Sequence, residues 1–233
     1  MVNGAGSSGA FERYLASLVG SWRAMAVPHR DARVATGDGW VAAVFPSHDT
    51  LGNAVLLVPG ALAEVEAALA GCRSYAVWTL DHAHATAAVL ERAGWRRSAT
   101  TRPMHADLDM PAPAQPYWPV RVVRDVDPAV VTGLNGVGGE LLAGVPGART
   151  YATADGASGL VTIDVGDDVN VSFVATAPQA RGEGRATALL AAALDDARAA
   201  GRRTASLQAT PMAERLYARH GFHPVGRWQE WSR

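Results

Sequence analysis

The chain has 233 residues, of which 48% are hydrophobic, and a formal net charge of −1 at pH 7. A chain of this length and apolar content can bury one large core or two modest ones. The near-zero charge provides no basic field for nucleic acid, and no apolar run approaches the length of a membrane span, so we expect neither nucleic acid nor a membrane as partner.

The first elements in chain order are a glycine- and serine-rich start and an amphipathic helix. Residues 1–10 have neither the basic start nor the apolar core of a signal peptide, and we interpret them as a flexible tail. The following segment places its large apolar residues on one helical face: Phe11, Tyr14, Leu15, Leu18, Val19 and Trp22. This pattern predicts a helix over 11–25 that docks on the rest of the protein.

Two strands and a second helix follow in the first half of the chain. Apolar runs predict strands over 53–58 and 74–80, and helical spacing predicts a helix over 84–93. The segment 111–116 is rich in proline, which is typical of a linker.

The cysteine and histidine content bears on compartment and metal binding. Cys72 is the single cysteine of the sequence, so it cannot form an internal disulfide, and we expect the reducing cytoplasm as the compartment. His82 and His84 lack a third ligand nearby, so we expect no metal site.

The second half of the chain alternates strands and helices. Alternating and β-branched residues predict strands over 160–165 and 170–176. An alanine- and leucine-rich helix is predicted over 187–200, followed by a short strand over 203–209. A proline at its first turn marks a further helix over 211–219.

The turn between the strand over 170–176 and the helix over 187–200 is the most informative segment. It reads Pro-Gln-Ala-Arg-Gly-Glu-Gly-Arg-Ala over 178–186. Gly182 and Gly184 allow the backbone to approach a ligand closely, and the first amides of the helix have no partner inside it. Those amides and the positive end of the helix dipole suit a diphosphate.

Two common phosphate-binding motifs are excluded for this turn. The dinucleotide-binding pattern needs a further glycine three residues after Gly184, where Thr187 stands. The P-loop ends in Gly-Lys-Ser/Thr, and the sequence contains no lysine. The pattern that remains is Arg-x-x-Gly-x-Ala, formed by Arg181, Gly184 and Ala186.

This pattern resembles the acyl-CoA-binding turn of the GNAT acyltransferase superfamily. Tyr217, Gly221 and Phe222 match a second element of that superfamily, Tyr-x-x-x-Gly-Phe, and the two motifs stand in the family's order. The resemblance covers roughly 117–233. It implies an α+β fold with a mixed, twisted sheet flanked by helices, and acetyl-CoA or another acyl-CoA as cosubstrate.

An internal repeat indicates a related half before the linker. Aligning Gly94 with Gly221 superimposes a predicted strand and helix of each half. The first half lacks the Arg-x-x-Gly-x-Ala turn and has Leu90 where the second has Tyr217, so we interpret it as a degenerate GNAT-like domain that packs on the second half and walls the acceptor pocket. The predicted tail, degenerate domain, linker and catalytic domain are 1–10, 11–110, 111–116 and 117–233.

The resemblance also implies roles for individual residues. Backbone amides of the strand before the turn hold the pantetheine arm and polarise the thioester carbonyl, with Val174 and Thr176 as the main contacts. The residues expected at the cofactor are Val174, Ala175, Thr176, Arg181, Gly182, Glu183, Gly184, Arg185, Ala186, Thr187 and Thr210. Thr210 stands where many members have an asparagine, and a cofactor contact and a helix-capping role are both open.

Tyr217 corresponds to the general acid of the family. A phenol with a pKa of about 10 stays protonated at neutral pH and can protonate a departing thiolate. Glu140 and Asp164 are candidates for the general base, but a solvated carboxylate is the better explanation of each, and neither is assigned the role. Trp228 and Trp231, on the last strand, fit either a pocket or a core.

The sequence thus predicts a CoA-dependent N-acyltransferase that moves an acetyl group to a primary amine of a small molecule, without a metal. An acyl-CoA-binding sensor or interaction module and a protein N-acetyltransferase are the alternatives. Nothing in the residues specifies the acceptor or an oligomeric state.

Overall fold

The computed structural model describes residues 4–46, 48, 52–110 and 118–233. The predicted linker over 111–116 lies outside the described residues. The α-helices are α1 (Gly4–Ala26), α2 (Leu62–Leu69), α3 (His84–Arg92), α4 (Pro128–Leu134), α5 (Arg185–Ala199) and α6 (Glu214–Arg219).

The strands of the first half are β1 (Arg33–Gly37), β2 (Trp40–Val44), β3 (Gly52–Leu56), β4 (Tyr75–Leu80) and β5 (Arg96–Asp107). The strands of the second half are β6 (Val122–Arg124), β7 (Ala148–Thr153), β8 (Ser158–Val165), β9 (Asp168–Thr176), β10 (Thr204–Ala209), β11 (His223–Pro224) and β12 (Trp228–Ser232). In the described part of the chain they form one sheet in the order β1-β2-β3-β4-β12-β5-β10-β9-β8-β7-β6, with β11 paired to β5.

The two halves repeat one strand arrangement. In the first half β1, β2 and β3 pair antiparallel, and β3 and β4 pair parallel. In the second half β7, β8 and β9 pair antiparallel, and β9 and β10 pair parallel. The mixed, twisted sheet with flanking helices is the fold that the sequence predicts.

The last strand of each half lies beside the parallel pair of the other half. β5 pairs with β10 through Arg102–Asp107 and with β12 through Arg96–Thr101. β12 in turn pairs with β4 of the first half. The two halves therefore share a single sheet through exchanged strands, which is a closer association than the packing expected from the sequence.

Helix α1 lies across one face of the sheet and contacts strands of both halves. Its buried residues Tyr14, Leu18 and Trp22 share an apolar cluster with Val161 and Trp228. This confirms the docked amphipathic helix, but the helix begins at Gly4, so residues 4–10 are helical where the sequence predicts a flexible tail. We call the side of the sheet covered by α1 and α4 the α1 face.

The opposite face of the second half is covered by α5 and α6. Leu189, Leu190 and Leu194 of α5 form the predicted apolar stripe and pack, with Tyr217 and Phe222, against β9 and β10. Within the described ranges, none of the helices combines the length and the hydropathy of a transmembrane segment.

Candidate functional site

The segment from β9 through a short 3₁₀ turn (Pro178–Ala180) into α5 has the predicted strand–turn–helix form. Gly182 and Gly184 have φ angles of 82° and 70°, a backbone region that glycine adopts without strain. Gly184 is the N-cap of α5, and no side chain caps that helix end within the described structure. The amides of the first turn of α5 therefore remain available to an anion.

Gly184 is also required because of its neighbour. A Cβ built on Gly184 would overlap the indole ring of Trp118, whereas a Cβ on Gly182 would meet nothing within 4 Å. Trp118 lies beside a cavity of about 600 Å³ at the start of α5. The cavity is lined mainly by Trp118, Arg121, Thr153, Asp155, Glu183 and Arg185.

Arg185 is held at this helix end by two carboxylates. Its guanidinium donates to Asp155 at 2.5 Å and to Glu183 at 2.9 Å. Hydrogen bonding from Arg185 holds the pKa of Asp155 well below its usual range. Arg121 also lines the cavity, so two carboxylates and two guanidinium groups lie near the predicted diphosphate position.

Strands β9 and β10 separate at the level of the predicted thioester. Their parallel pairing covers Asp168–Val171 on β9 and Thr204–Leu207 on β10. Two residues after the end of this pairing Phe173 has a φ of 54°, and the register of β9 against β8 shifts. This bulge turns β9 away from β10, because an extra residue bends the strand that contains it. We call the gap beyond Val171 and Leu207 the opening.

Side chains of neighbouring elements hold the bulged part of β9. Asn135 Nδ2, just after α4, donates to the Phe173 carbonyl at 3.0 Å. Ser158 Oγ donates to the Ala175 carbonyl at 3.0 Å. Arg181 Nε donates to the Thr176 carbonyl at 3.2 Å, which connects the glycine turn to the end of β9. These bonds leave the edge of β9 that faces the opening unpaired with β10.

Tyr217 lies on α6 with only 4% of its surface exposed. The Phe222 ring contacts it edge-on, with ring centroids 6.0 Å apart. Burial raises the pKa of Tyr217 to about 12, so the phenol is neutral at physiological pH.

His220 connects α6 to the first turn of α5. Its ring nitrogens lie 3.0 Å from the Leu216 carbonyl and 3.3 Å from the Thr187 carbonyl. Burial lowers the pKa of His220. The structure therefore brings the glycine turn and the helix of Tyr217 together, as the two sequence motifs predict.

Other candidates from the sequence have different places. Thr210 is exposed, and the N-cap of α6 is Ala213, so the capping role for Thr210 is wrong. Asp164 forms an ion pair with Arg202 at 2.8 Å, near the far end of β8 from the glycine turn. Glu140 is exposed in a 3₁₀ turn (Gly139–Leu142).

Trp228 and Trp231 are both fully buried. Their indole N–H groups donate to Tyr14 at 3.1 Å and to Thr79 at 2.9 Å. Of the two roles open from the sequence, the core role is the one that the structure supports.

Sequence reasoning missed a row of polar residues on β9. Asp168, Asn170 and Ser172 lie on the α1 face, while Val169 and Val171 lie in the core on the other face. The signal was present as strict alternation of polar and apolar residues, which in a buried strand places polar groups inside the protein. Among the described residues, no group of His, Cys, Asp and Glu could hold a metal ion.

Comparisons with known proteins agree with this geometry. Residues 148–231 match the family model described as an acetyltransferase (GNAT) domain. A search of curated proteins found no match. The match to the family model spans β7 to β12, which includes the opening, the glycine turn and Tyr217.

Several solved structures have the same fold. A GCN5-related N-acetyltransferase from Kribbella flavida is 18% identical, with a TM-score of 0.65 over 93% of this chain and 94% of that chain. A GCN5-related N-acetyltransferase-like protein from Streptococcus suis is 15% identical, with a TM-score of 0.60 over 97% and 98%. A tandem GNAT protein from the clavulanic acid biosynthesis pathway is 15% identical, with a TM-score of 0.52 over 99% and 95%.

Proposed function

The chain has the GNAT fold and a GNAT acetyltransferase domain in residues 148–231, and we propose that it transfers an acyl group from acyl-CoA to an amine. We favour acetyl as the acyl group and a primary amine of a small molecule as the acceptor. The observation that carries the proposal is the opening between β9 and β10, which leads directly into a helix end capped by glycine.

The proposed position of acyl-CoA follows from these two features. The diphosphate lies at the first-turn amides of α5, where partial positive charge is concentrated and no side chain caps the helix end in the described structure. The pantetheine arm adds to the unpaired edge of β9 along Val174–Thr176, as an extended peptide adds to a sheet edge. The thioester then lies in the opening, close to the bulge at Phe173.

The chemistry is a direct attack on the thioester carbonyl. The amine nitrogen forms the new N–C bond, the C–S bond breaks, and the proton lost by nitrogen is balanced by the proton gained by sulfur. Backbone amides of β9 stabilise the oxyanion that develops on the carbonyl.

Tyr217 supplies a proton or hydrogen bond to the departing sulfur. With a pKa of about 12, its phenol is a weaker acid than a thiol with a pKa of about 8.5. A complete proton transfer to the thiolate is therefore uphill, and Tyr217 contributes mainly by donating a hydrogen bond while the charge on sulfur forms. Phenol is the suitable group because it remains protonated throughout the physiological range.

The proposed compartment is the reducing cytoplasm, in keeping with the single Cys72. The proposal is tested by measuring acetyl-CoA binding by calorimetry and CoA release with a panel of primary amines. Binding together with amine-dependent release of CoA supports the transferase. Binding without release from any amine would favour the sensor alternative, and release that needs a peptide amine would favour the protein N-acetyltransferase.

A further inference from the structure

Two polar side chains lie on the α1 face at the mouth of the opening. Ser172 follows the last β9 residue that pairs with β10, and Gln208 follows the last β10 residue that pairs with β9. Both side chains are partly buried, and both belong to hydrogen-bond chains that begin deeper in the protein. An acceptor that approaches the thioester from the α1 face meets these two residues.

The first hydrogen-bond chain fixes the direction of the Ser172 hydroxyl. Ser17 Oγ of α1 donates to the buried carboxylate of Asp168 at 2.5 Å, and Asn170 Nδ2 donates to Ser17 Oγ at 3.2 Å. The amide oxygen of Asn170 is then left to accept the Ser172 hydroxyl at 2.6 Å. Because its hydrogen is used in this way, the Ser172 oxygen offers only lone pairs to a ligand.

The second chain fixes the orientation of the Gln208 amide. The indole of Trp228 can only donate, so the Tyr14 oxygen accepts from it at 3.1 Å. The Tyr14 hydrogen therefore points to Gln208 Oε1, 2.9 Å away. Gln208 Nε2 donates to Thr101 Oγ1 at 2.8 Å, which leaves Oε1 with a second lone pair.

We propose that Ser172 Oγ and Gln208 Oε1 bind the acceptor amine by accepting its two N–H groups, so that the nitrogen lone pair faces the thioester. This inference rests on the proposed function. It selects a neutral primary amine, since a secondary amine has one N–H to donate. Ser17 and Tyr14 of α1 are positioning residues, which gives the first half of the chain a direct part in acceptor binding.

The Ser172 chain orients the amine and does not deprotonate it. An amide nitrogen holds its hydrogens tightly, so Asn170 cannot pass a proton from Ser172 toward Asp168. The effect of the chain is therefore expected in acceptor binding and amine selectivity.

The test compares Ser172→Ala, Ser172→Thr and the wild-type protein with a reactive primary amine and its N-methyl analogue. Loss of one neutral hydrogen bond should raise the KM for the primary amine about threefold to tenfold. The preference for the primary over the N-methyl amine should fall by a similar factor. Ser172→Thr keeps the hydroxyl on a strand position suited to threonine and should restore both values.

The role of α1 is tested with Ser17→Ala against the matched control Ser21→Ala. Both serines are buried on α1, but Ser21 Oγ donates to the Leu18 carbonyl of its own helix. Ser17→Ala should raise the amine KM while Ser21→Ala leaves it unchanged, and calorimetry should give the same acetyl-CoA affinity for both.

The possible outcomes distinguish this inference, the positioning role of α1 and the proposed function. Wild-type turnover with an unchanged amine KM and selectivity in Ser172→Ala overturns this inference and leaves the proposed function standing. An equal effect of Ser17→Ala and Ser21→Ala removes the positioning role of α1. Absence of turnover by the wild-type protein with every amine overturns the proposed function and this inference together.

Discussion

Replacing Gly184 by alanine tests whether the start of α5 is built around a residue without a side chain. The backbone of an alanine would be strained at a φ of 70°, and its methyl group would overlap the Trp118 indole. A left-handed conformation costs a non-glycine residue about 1–2 kcal/mol, and overpacking costs about 1–3 kcal/mol. Trp118 is 37% exposed and can turn outward, so the low end of the second range applies.

Gly182→Ala is the matched control, because Gly182 has a similar φ of 82° but open space where its Cβ would lie. Both variants lose the same backbone freedom in the unfolded chain, so this effect cancels in the comparison. Gly184→Ala should therefore be less stable than Gly182→Ala by about 1 kcal/mol, or about 2–4 °C in Tm for a chain of this size. Thermal unfolding measures the difference.

The double variant Gly184→Ala/Trp118→Ala separates the overlap from general damage. In the Trp118→Ala background, alanine at 184 should lower the free energy of unfolding by no more than alanine at 182 lowers it in the wild-type background. Acetyl-CoA affinity, measured by calorimetry, should fall in Gly184→Ala. Equal stability of the Gly184→Ala and Gly182→Ala variants would refute the close contact with Trp118.

Three further predictions concern the chemistry, the charge and the fold. Tyr217→Phe should lower kcat about 100-fold or more with unchanged acetyl-CoA affinity. In the wild-type protein, ionisation of Tyr217 should not lower the rate up to about pH 10, because its pKa is about 12. An unchanged kcat in the variant would exclude the role of the phenol. Asp155→Asn should tighten acetyl-CoA binding more at low than at high salt, because it removes a negative charge and releases Arg185; weaker binding would show that Asp155 serves the cofactor. The fragment 118–233 should fail to fold alone by circular dichroism, because β5 separates β12 from β10 in the shared sheet; a cooperatively unfolding fragment would contradict this.

Local sequence patterns were sufficient to predict the parts of the candidate site that are continuous in sequence. The glycine turn, the strand before it and the helix after it follow from residue spacing and helix-end chemistry, and they lie where the motifs predict. The docked face of α1 was equally predictable, because its apolar residues recur at helical spacing.

The sequence patterns could not predict which strands pair when they are far apart in sequence. β5 contacts β12 with one end and β10 with the other, and its twelve residues carry no signal for which half they join. Residues 1–10 were predicted as a tail, yet residues 4–10 are helical in continuity with a long packed helix, although glycine and serine are poor helix formers. The chain from Asp168 to Ser172 depends on Ser17, which is 151 residues from Asp168 in sequence.

A crystal structure of this protein with acetyl-CoA would show directly where the cofactor binds. We expect the diphosphate at the backbone amides of residues 185–187 and the thioester between β9 and β10, within reach of Tyr217. Acetyl-CoA bound at any other place on the molecule, or with its diphosphate away from the start of α5, would overturn the proposed site.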